Sequence, residues 1–259
     1  MANNCDRISG MNRNELDPLI AQTNEKLSRL GIEAGLFDLD DALIFTSVIF
    51  RRFMAEYTEA VVRLSGVDYD NFAERLKIIN DEEYQTHRVN PHRWETVAER
   101  LAREFPMASE AIYNCRPILY KIYETVPKVR EGATSVLNGL KAGGRKIGIV
   151  THSMEKWAWW KLEMTGLIRY QDAVVIADPN GEKTSAHWGR CAQMLGVTGE
   201  KCFVFGDNLK GDVINGMAIG ARGIWMPSPW SVYRQGIVPP GVVEITELTD
   251  FWEGVLRLK

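Results

Sequence analysis

The chain has 259 residues, which is long enough to bury a full core in one large or two modest domains. A formal net charge of −3, without any Lys/Arg block, predicts no nucleic-acid partner. No stretch approaches the ~18 consecutive apolar residues of a membrane span, and the N-terminus lacks the apolar segment of a secretory signal. The cysteines are scattered without zinc spacing, which favours reduced thiols. We therefore expect a cytoplasmic protein with no membrane partner, whose function depends on a local site.

The first predicted element is an amphipathic helix over residues 17–30. Asp17 is suited to the N-cap, Pro18 to the first helical position, and Gly31 to the C-terminal stop. The apolar stripe of this helix could pack on the rest of the chain or on a second subunit. A homodimer therefore stays open at this point.

The hydrophobic pattern then changes from helical to strand-like. Residues 34–40 form a short apolar run that ends in Asp38 and Asp40, as expected of a buried strand that surfaces at its carboxyl end. From about Thr46 to Pro127 apolar residues recur every three or four positions, which is typical of helices. This segment contains no convincing strand, so we predict an all-helical insertion.

After Pro127 the predicted elements alternate between helix and strand. The predicted strands cover 146–151, 173–178, 201–207 and 222–226, and the predicted helices cover 131–141, 185–195 and 212–219. Such alternation indicates an α/β fold with a doubly wound, parallel, Rossmann-like sheet. We predict an N-terminal helical extension (1–33), a core formed by 34–45 and 128–259, and the helical insertion (46–127).

Reactive side chains follow three of the predicted strands. The first strand ends in Asp38 and Asp40, the second in Thr151 and the fourth in Asp207. In open parallel sheets ligands bind outside the carboxyl ends of the strands, so these groups are expected to meet. Each of these strand-end residues is commonplace alone, and Lys183 by itself would be read as a surface residue. Their order and spacing along the chain together form a much more specific pattern.

Four motifs in order resemble those of the haloacid dehalogenase-like superfamily, in particular its phosphatase branch with a helical cap inserted after the first motif. The motifs are FDLDDAL at 37–43, GIVTHS at 148–153, Lys183, and FGDNLKGD at 205–212. The resemblance covers roughly residues 34–230. It implies a hydrolase whose helical insertion is a cap domain over the active site.

The residue types fit phosphoryl transfer, which depends on positioning and charge neutralisation. Asp38 could attack phosphorus and form an aspartyl-phosphate, and Asp40 could protonate the leaving oxygen and later activate water. Thr151 and the backbone N–H of His152 would hold phosphate oxygens. Lys183 would pair with the nucleophile and with the phosphoryl charge.

A Mg²⁺ cofactor is expected at the same place, because this ion prefers carboxylates, carbonyls and waters in octahedral geometry. Its ligands would be Asp38, Asp207 and a backbone carbonyl, which the resemblance assigns to Asp40. Asp212 would either be a further metal ligand or lie just outside the ligands.

Several positions depart from the usual family pattern. Ala42 stands where Thr or Val is more common, and Phe45 replaces a polar residue near the hinge to the cap. His152 replaces Asn or Gly, and Thr184 replaces a proline after the lysine. Ala42 is expected to loosen the turn without removing a chemical group, and Phe45 to alter the substrate or the closure of the cap. His152 could contact the substrate, although the simpler interpretation is that only its backbone N–H matters.

Other side chains near the motifs have simpler interpretations. Trp157, Trp159 and Trp160 follow the second motif and are predicted to pack in a hydrophobic core. Arg51 and Arg52 begin the cap and could reach a substrate anion, although a solvated helix face is the simpler interpretation.

The leading hypothesis is a phosphatase for a small soluble phosphate monoester, with a cap that opens for exchange. A phosphomutase of the same superfamily and a catalytically silent binding protein are the alternatives. A dehalogenase would not need Asp40 or the metal site. A phosphonate hydrolase would need a cap lysine, and nothing around Lys77 supports that role.

Overall fold

The computed structural model describes residues 18–259. The strands are β1 Ala34–Phe37, β2 Ile44–Phe45, β3 Lys128–Val129, β4 Lys146–His152, β5 Ala173–Ala177, β6 Cys202–Gly206, β7 Arg222–Trp225 and β8 Val243–Glu244. The α-helices are α1 Pro18–Arg29, α2 Ser47–Ser65, α3 Tyr69–His87, α4 Arg93–Glu104, α5 Ser109–Cys115, α6 Pro117–Tyr120, α7 Ala133–Ala142, α8 Glu155–Met164, α9 Ser185–Met194, α10 Asn215–Met217 and α11 Phe251–Leu256. The expected N-cap Asp17 and Cys5 lie outside the described residues.

Six parallel strands form the main sheet in the order β5-β4-β1-β6-β7-β8. Successive residues of the central strand β1 point to opposite faces, so Phe37 packs with α7 and α11 while Leu36 packs with α9. Both faces are covered by helices, which explains why the strands are almost continuously apolar. The predicted α/β fold with a doubly wound parallel sheet is confirmed.

The order of the strands places a crevice at the end of β1. From β1 the sheet grows in one direction through β4 and β5, and in the other through β6, β7 and β8. Strand order reverses at this point, and open parallel sheets bind ligands where it reverses. The residues that follow β1, β4 and β6 are therefore neighbours at one edge of the sheet.

Helix α1 packs against the core of its own chain. Leu27 is fully buried in the same apolar cluster as Phe251 of α11. The Thr23 hydroxyl donates to the Trp252 carbonyl (3.5 Å), and the Asn24 amide donates to the Gly139 carbonyl (3.0 Å). Helix α1 thus packs part of its apolar stripe on its own chain, and the homodimer stays a prediction.

Helices α2 to α6 form a helical layer with an apolar cluster of its own. Tyr57, Phe72, Trp94 and Leu101 are among its fully buried members. The two connections to the sheet, β2 and β3, pair as a short antiparallel ribbon. The helical layer is thus joined to the sheet through two short strands that pair with each other. The residue limits of the three predicted units stay a prediction.

The sequence prediction missed three short strands and helix α11, and it placed the start of one helix differently. β2, β3 and β8 have two residues each and are too short to produce a recognisable alternation. The helix predicted over 212–219 begins instead with a π-helical turn at Leu209–Ile214 and continues as α10. Asn208 caps this turn by accepting from the Gly211 N–H at 2.9 Å, a local bond that the hydrophobic pattern does not reveal.

The predictions of reduced thiols and of no membrane span can be compared with residues 18–259. Cys115, Cys191 and Cys202 are buried and free. Within residues 18–259, no helix is both long and apolar enough to cross a bilayer.

We predict that Leu27→Ala destabilises the protein by about 2–5 kcal/mol, because it leaves a cavity between α1 and the sheet. The free energy of unfolding, measured in urea, checks this. Leu64→Ala on α2 is the matched control, since Leu64 is 62% exposed and its loss should cost little. Equal effects of the two substitutions would contradict the packing of α1 on its own chain.

Candidate active site

Three of the predicted site residues meet at the carboxyl edge of the sheet because their strands are adjacent. Asp38 follows β1, Thr151 lies at the end of β4, and Asp207 follows β6. The Asp38 N–H donates to the Phe205 carbonyl at 2.8 Å, so the ladder between β1 and β6 extends as far as the site. The backbone of the sheet therefore sets the spacing of these side chains.

Three buried carboxylates, those of Asp38, Asp207 and Asp212, form an acidic cluster. Each offers an oxygen, and these oxygens all lie within 4.8 Å of one another. The ammonium of Lys183 makes ion pairs with Asp38 and with Asp212, and it also donates to the Val150 carbonyl at 3.3 Å. One cation thus compensates two of the three carboxylates.

Gly206 is needed for the close approach of Asp212 to the end of β6. A Cβ at position 206 would lie only 2.3 Å from the Asp212 Oδ2 atom and 2.5 Å from its Cβ. The backbone N–H of Asn208 donates to Asp212 Oδ2 at 2.9 Å. The Gly-Asp pair therefore has a packing reason as well as a chemical one.

Lys183 is held by the start of α9. The Thr184 N–H donates to His187 Nδ1 at 3.0 Å, closing a capping box around the first turn. The Asn215 amide donates to the Lys183 carbonyl at 2.8 Å. His187 thus replaces the restraint that a proline at 184 would give.

The acidic cluster favours a bound cation. Burial is the main cause that raises the pKa of Asp38 to about 8, and burial together with the nearby carboxylates raises the pKa of Asp207 well above its usual value. Burial disfavours the charged form of Lys183 and would lower its pKa. The attraction of the Asp212 and Asp38 carboxylates is together the larger effect and raises the pKa of Lys183. Asp207 Oδ2 is buried and has no hydrogen-bond partner among the described residues. An oxygen-liganded divalent ion would satisfy it, so the residues fit such an ion.

The side chain of Asp40 lies beside this cluster and is held by different partners. The Lys161 ammonium donates to both of its oxygens at 2.6 Å, and the Thr151 hydroxyl donates to Oδ2 at 3.2 Å. Its carboxylate is not a member of the acidic cluster. The expected metal contact through the Asp40 backbone carbonyl stays a prediction.

Lys161 was missed by the sequence analysis. It lies four residues after Trp157 on α8, and both side chains are buried on the same face of the helix. Its position within that apolar stripe is the available signal, because a lysine is rarely buried without a partner.

The phosphate-binding residues expected from the second motif have partners of their own. Thr151 is fully buried and its hydroxyl faces Asp40. His152 lines the cavity, and its Nε2 bonds to the Asp178 carbonyl at 2.9 Å. Burial, helped by Lys183, lowers the pKa of His152 to about 4, so the ring is neutral near pH 7.

Asp41 connects the site to the hinge and was not recognised from the sequence. It adopts a positive φ of 58°, which Asp tolerates better than most residues. Its Oδ1 accepts from the N–H groups of Thr46 (3.1 Å) and Ser47 (2.9 Å) at the start of α2. Arg130 donates to the Asp41 carbonyl at 2.8 Å and lies 4.2 Å from the Phe45 ring centroid. The unusual Phe45 is thus the stacking partner of a hinge arginine.

A cavity of about 360 Å³ lies between the sheet edge and the helical layer. Its floor contains the carboxylates and Lys183, and its opposite wall includes Asn80, Tyr84 and Arg93. Trp157 also lines the cavity, while packing in the apolar cluster of the helical layer as expected. Arg51 and Arg52 are exposed on α2, and Arg52 pairs with Glu56.

Contacts across the cavity mouth hold the helical layer against the sheet. The Tyr84 and Tyr233 hydroxyls bond at 2.8 Å, Arg88 pairs with Glu182 at 2.7 Å, and the Val89 N–H donates to the Pro179 carbonyl at 3.2 Å. The loop before Lys183 therefore contacts the loop between α3 and α4.

A parallel α/β sheet with acidic strand ends, a buried lysine and a helical insertion after the first strand defines a class of hydrolase. The chain belongs to the haloacid dehalogenase-like hydrolase family, whose model matches residues 32–220.

Among its relatives, the pyrimidine 5'-nucleotidase YjjG of Escherichia coli (strain K12) is 27% identical over 208 residues, covering 79% of this chain and 82% of that one. A glyceraldehyde 3-phosphate phosphatase of Pyrococcus abyssi is 23% identical over 200 residues, covering 75% and 81%. The crystal structure of a haloacid dehalogenase-like hydrolase from Xanthomonas campestris has a TM-score of 0.68 at 17% identity, covering 87% of this chain and 91% of that one. The predicted family is confirmed, and the chain is a hydrolase.

We predict that Mg²⁺ raises the melting temperature of the protein and that Asp207→Asn abolishes this shift. Saturation at about 100 times Kd should stabilise the folded state by about 2.7 kcal/mol. Without metal, the Asn variant should melt above the unsubstituted protein, because one of three crowded carboxylates is neutralised. Asp70→Asn, which changes an exposed carboxylate at the start of α3, is the control and should retain the Mg²⁺ shift.

We predict that this Mg²⁺ shift grows as pH rises from about 6 to 8, because the ion displaces a proton from Asp38. The folded-state pKa of Asp38 lies above the ordinary value, so its contribution to metal-free stability falls as pH rises from 3.8 through about 8. Melting temperatures with and without Mg²⁺ at three pH values test this. A shift that shrinks with pH would be the opposite of the expected result.

Proposed function

We propose that the protein is a Mg²⁺-dependent phosphatase that hydrolyses a small phosphate monoester through an aspartyl-phosphate on Asp38. The observation that supports this most is the juxtaposition of two differently held carboxylates. Asp38 lies in the acidic cluster with Lys183, whereas Asp40, two residues later, faces the same cavity with separate partners. A nucleophile and an acid/base group need such separate environments.

In the first step Asp38 attacks phosphorus and the bond from phosphorus to the ester oxygen breaks. Asp40 gives its proton to that oxygen, so the alcohol leaves neutral and the phosphoryl group remains on Asp38. Lys183, paired with Asp38, compensates negative charge as the phosphoryl group approaches the carboxylate.

In the second step Asp40, now a carboxylate, takes a proton from water while that water attacks phosphorus. The bond between Asp38 and phosphorus breaks, which regenerates the carboxylate and releases inorganic phosphate. Asp40 finishes protonated, as it began, so one carboxyl group serves as acid and then as base.

The metal would be held by Asp38 and Asp207, with Asp212 completing or supporting the site. A divalent ion supplies charge neutralisation between the nucleophile and an anionic substrate. The raised pKa values of Asp38 and Asp207 and the unpartnered Asp207 Oδ2 support this assignment.

The substrate is a small phosphorylated metabolite whose leaving group occupies the cavity under the helical layer, which acts as the cap. Asn80, Tyr84 and Arg93 line that side, so the leaving group meets polar and aromatic side chains. The relatives named as a pyrimidine 5'-nucleotidase and a glyceraldehyde 3-phosphate phosphatase support this substrate class.

The cap must open for exchange. The bond between Tyr84 and Tyr233 and the ion pair of Arg88 with Glu182 bridge cap and core, and both must separate for entry. Because the ribbon of β2 and β3 is the double connection between the two parts, it is the proposed hinge.

We predict that Asp38→Asn lowers kcat/KM on p-nitrophenyl phosphate by about 10⁴-fold or more, because the amide cannot act as the nucleophile. The assay is run with saturating Mg²⁺, and Asp70→Asn serves as the control with unchanged activity. Screening a panel of phosphorylated metabolites under the same conditions identifies the substrate.

Three outcomes would contradict the proposal. Equal activity of the Asp38→Asn variant and the unsubstituted protein would exclude an aspartyl-phosphate on Asp38. Inactivity of both across the metabolite panel would favour the catalytically silent alternative. Transfer of the phosphoryl group within a substrate, without release of inorganic phosphate, would favour the phosphomutase.

A further inference from the structure

Lys161 is a buried cation whose one carboxylate partner among the described residues is Asp40. Its side chain is 0% exposed, and its Nζ lies 2.6 Å from each Asp40 oxygen. The carboxylate of Asp40 is 26% exposed and lines the cavity, whereas Lys161 is absent from the described lining. The ammonium therefore holds Asp40 from the side away from the substrate.

The position of this ammonium is itself fixed by an aromatic ring. Lys161 Nζ lies 4.1 Å from the ring centroid of Trp157, one helical turn earlier on α8. That ring also packs edge-on against Tyr123 at 4.7 Å, at the end of the cap helices. A cation over an indole face is attracted by the ring quadrupole, so Trp157 favours one location for the charge.

Three hydrogen bonds thus restrain a side chain that has only two rotatable bonds. Lys161 contacts both oxygens and the Thr151 hydroxyl contacts Oδ2, so the plane of the Asp40 carboxyl group is determined. A carboxyl group that is free to rotate would present an oxygen to the leaving group for only part of the time. Proton transfer requires hydrogen-bond distance and alignment in the transition state.

We propose that Lys161 is a positioning residue for the reaction, which holds the Asp40 carboxyl group in the plane that serves the leaving-group oxygen. The inference rests on the proposed function, since it assigns to Asp40 the protonation of that oxygen. Lys161 contacts neither the acidic cluster nor the cavity, so its loss should leave the nucleophile and the metal site in place.

If Lys161 positions Asp40, the loss of activity on removing Lys161 should depend on the leaving group of the substrate. An ester whose alcohol leaves readily as an anion needs little protonation, whereas a poor leaving group depends on the proton from Asp40. The value of kcat/KM reports the steps up to the first irreversible one, here the phosphorylation of Asp38, and excludes later activation of water. A defect in the position of Asp40 therefore appears in kcat/KM for poor leaving groups.

The test compares p-nitrophenyl phosphate with phenyl phosphate, which have similar size and charge but a good and a poor leaving group. Lys161→Met should lower kcat/KM for phenyl phosphate by about 10- to 100-fold and for p-nitrophenyl phosphate by less than about 3-fold. Asp40→Asn should show the same selectivity. The double variant should be no more selective than Asp40→Asn alone, because both act on one group.

A purely structural role predicts a different result. Equal losses on the two esters, or no loss on either, would overturn the proposal. Inactivity of the unsubstituted protein on both esters and across the metabolite panel would instead overturn the proposed function, so the two failures are distinguishable. Retention of the Mg²⁺ melting shift by Lys161→Met confirms that the acidic cluster is intact.

Lys141→Met is the matched control. Lys141 also pairs with a carboxylate, that of Asp172 at 2.5 Å, but on α7 and away from the cavity. This variant should leave the ratio between the two esters unchanged. If Lys161→Met does not fold, Lys161→Gln is the second variant, since its neutral side chain is one atom shorter and should not hold both Asp40 oxygens as the ammonium does. An unchanged ratio in that variant would refute the inference.

Discussion

Repulsion among three buried carboxylates is the constraint on which the rest of the site depends. Asp38, Asp207 and Asp212 offer oxygens within 4.8 Å of one another at the edge of the sheet, where burial penalises their charged forms. The cluster is tolerated because Lys183 pairs with two of them, and its remaining negative charge is what a divalent cation would bind. The electrostatic cost of the metal-free cluster is therefore what a bound cation would relieve.

The fold supplies this arrangement through backbone geometry. Adjacent parallel strands bring Asp38 and Asp207 together, and the missing side chain of Gly206 lets Asp212 approach the end of β6. Lys183 reaches the cluster from the start of α9, where a capping box fixes the chain. None of these contacts involves the helical layer, so the charged cluster is built by the sheet and its flanking helices alone.

A second charge pair keeps Asp40 apart from this cluster. Lys161 approaches Asp40 from the side away from the cavity, and Lys183 approaches Asp38 from the start of α9. Two carboxylates separated by one residue therefore have different counter-ions and different exposure. This separation is the physical basis for assigning them different chemical roles. Trp157 and Tyr123 connect the Lys161–Asp40 pair to the helical layer. Asp41 and Arg130 connect the first motif to the start of α2 and to the segment after β3.

The sequence by itself determined the fold class, the family and the residues of the four motifs, because strand periodicity and motif spacing are local properties of the chain. It could not reveal that Lys161 pairs with Asp40, since 121 residues separate them and only the pairing of β1 with β4 brings their elements together. The role of Asp41 also depended on tertiary structure, because its backbone conformation and its contacts with α2 leave no periodic signal. Likewise, the stripe of α1 predicted an apolar contact without its location, and the contact with α11 is seen only in the tertiary structure. Contacts between residues far apart in the chain, such as ion pairs and the packing of helix faces, form only when the helices and the sheet assemble. For this reason they are visible in the tertiary structure and not in the sequence.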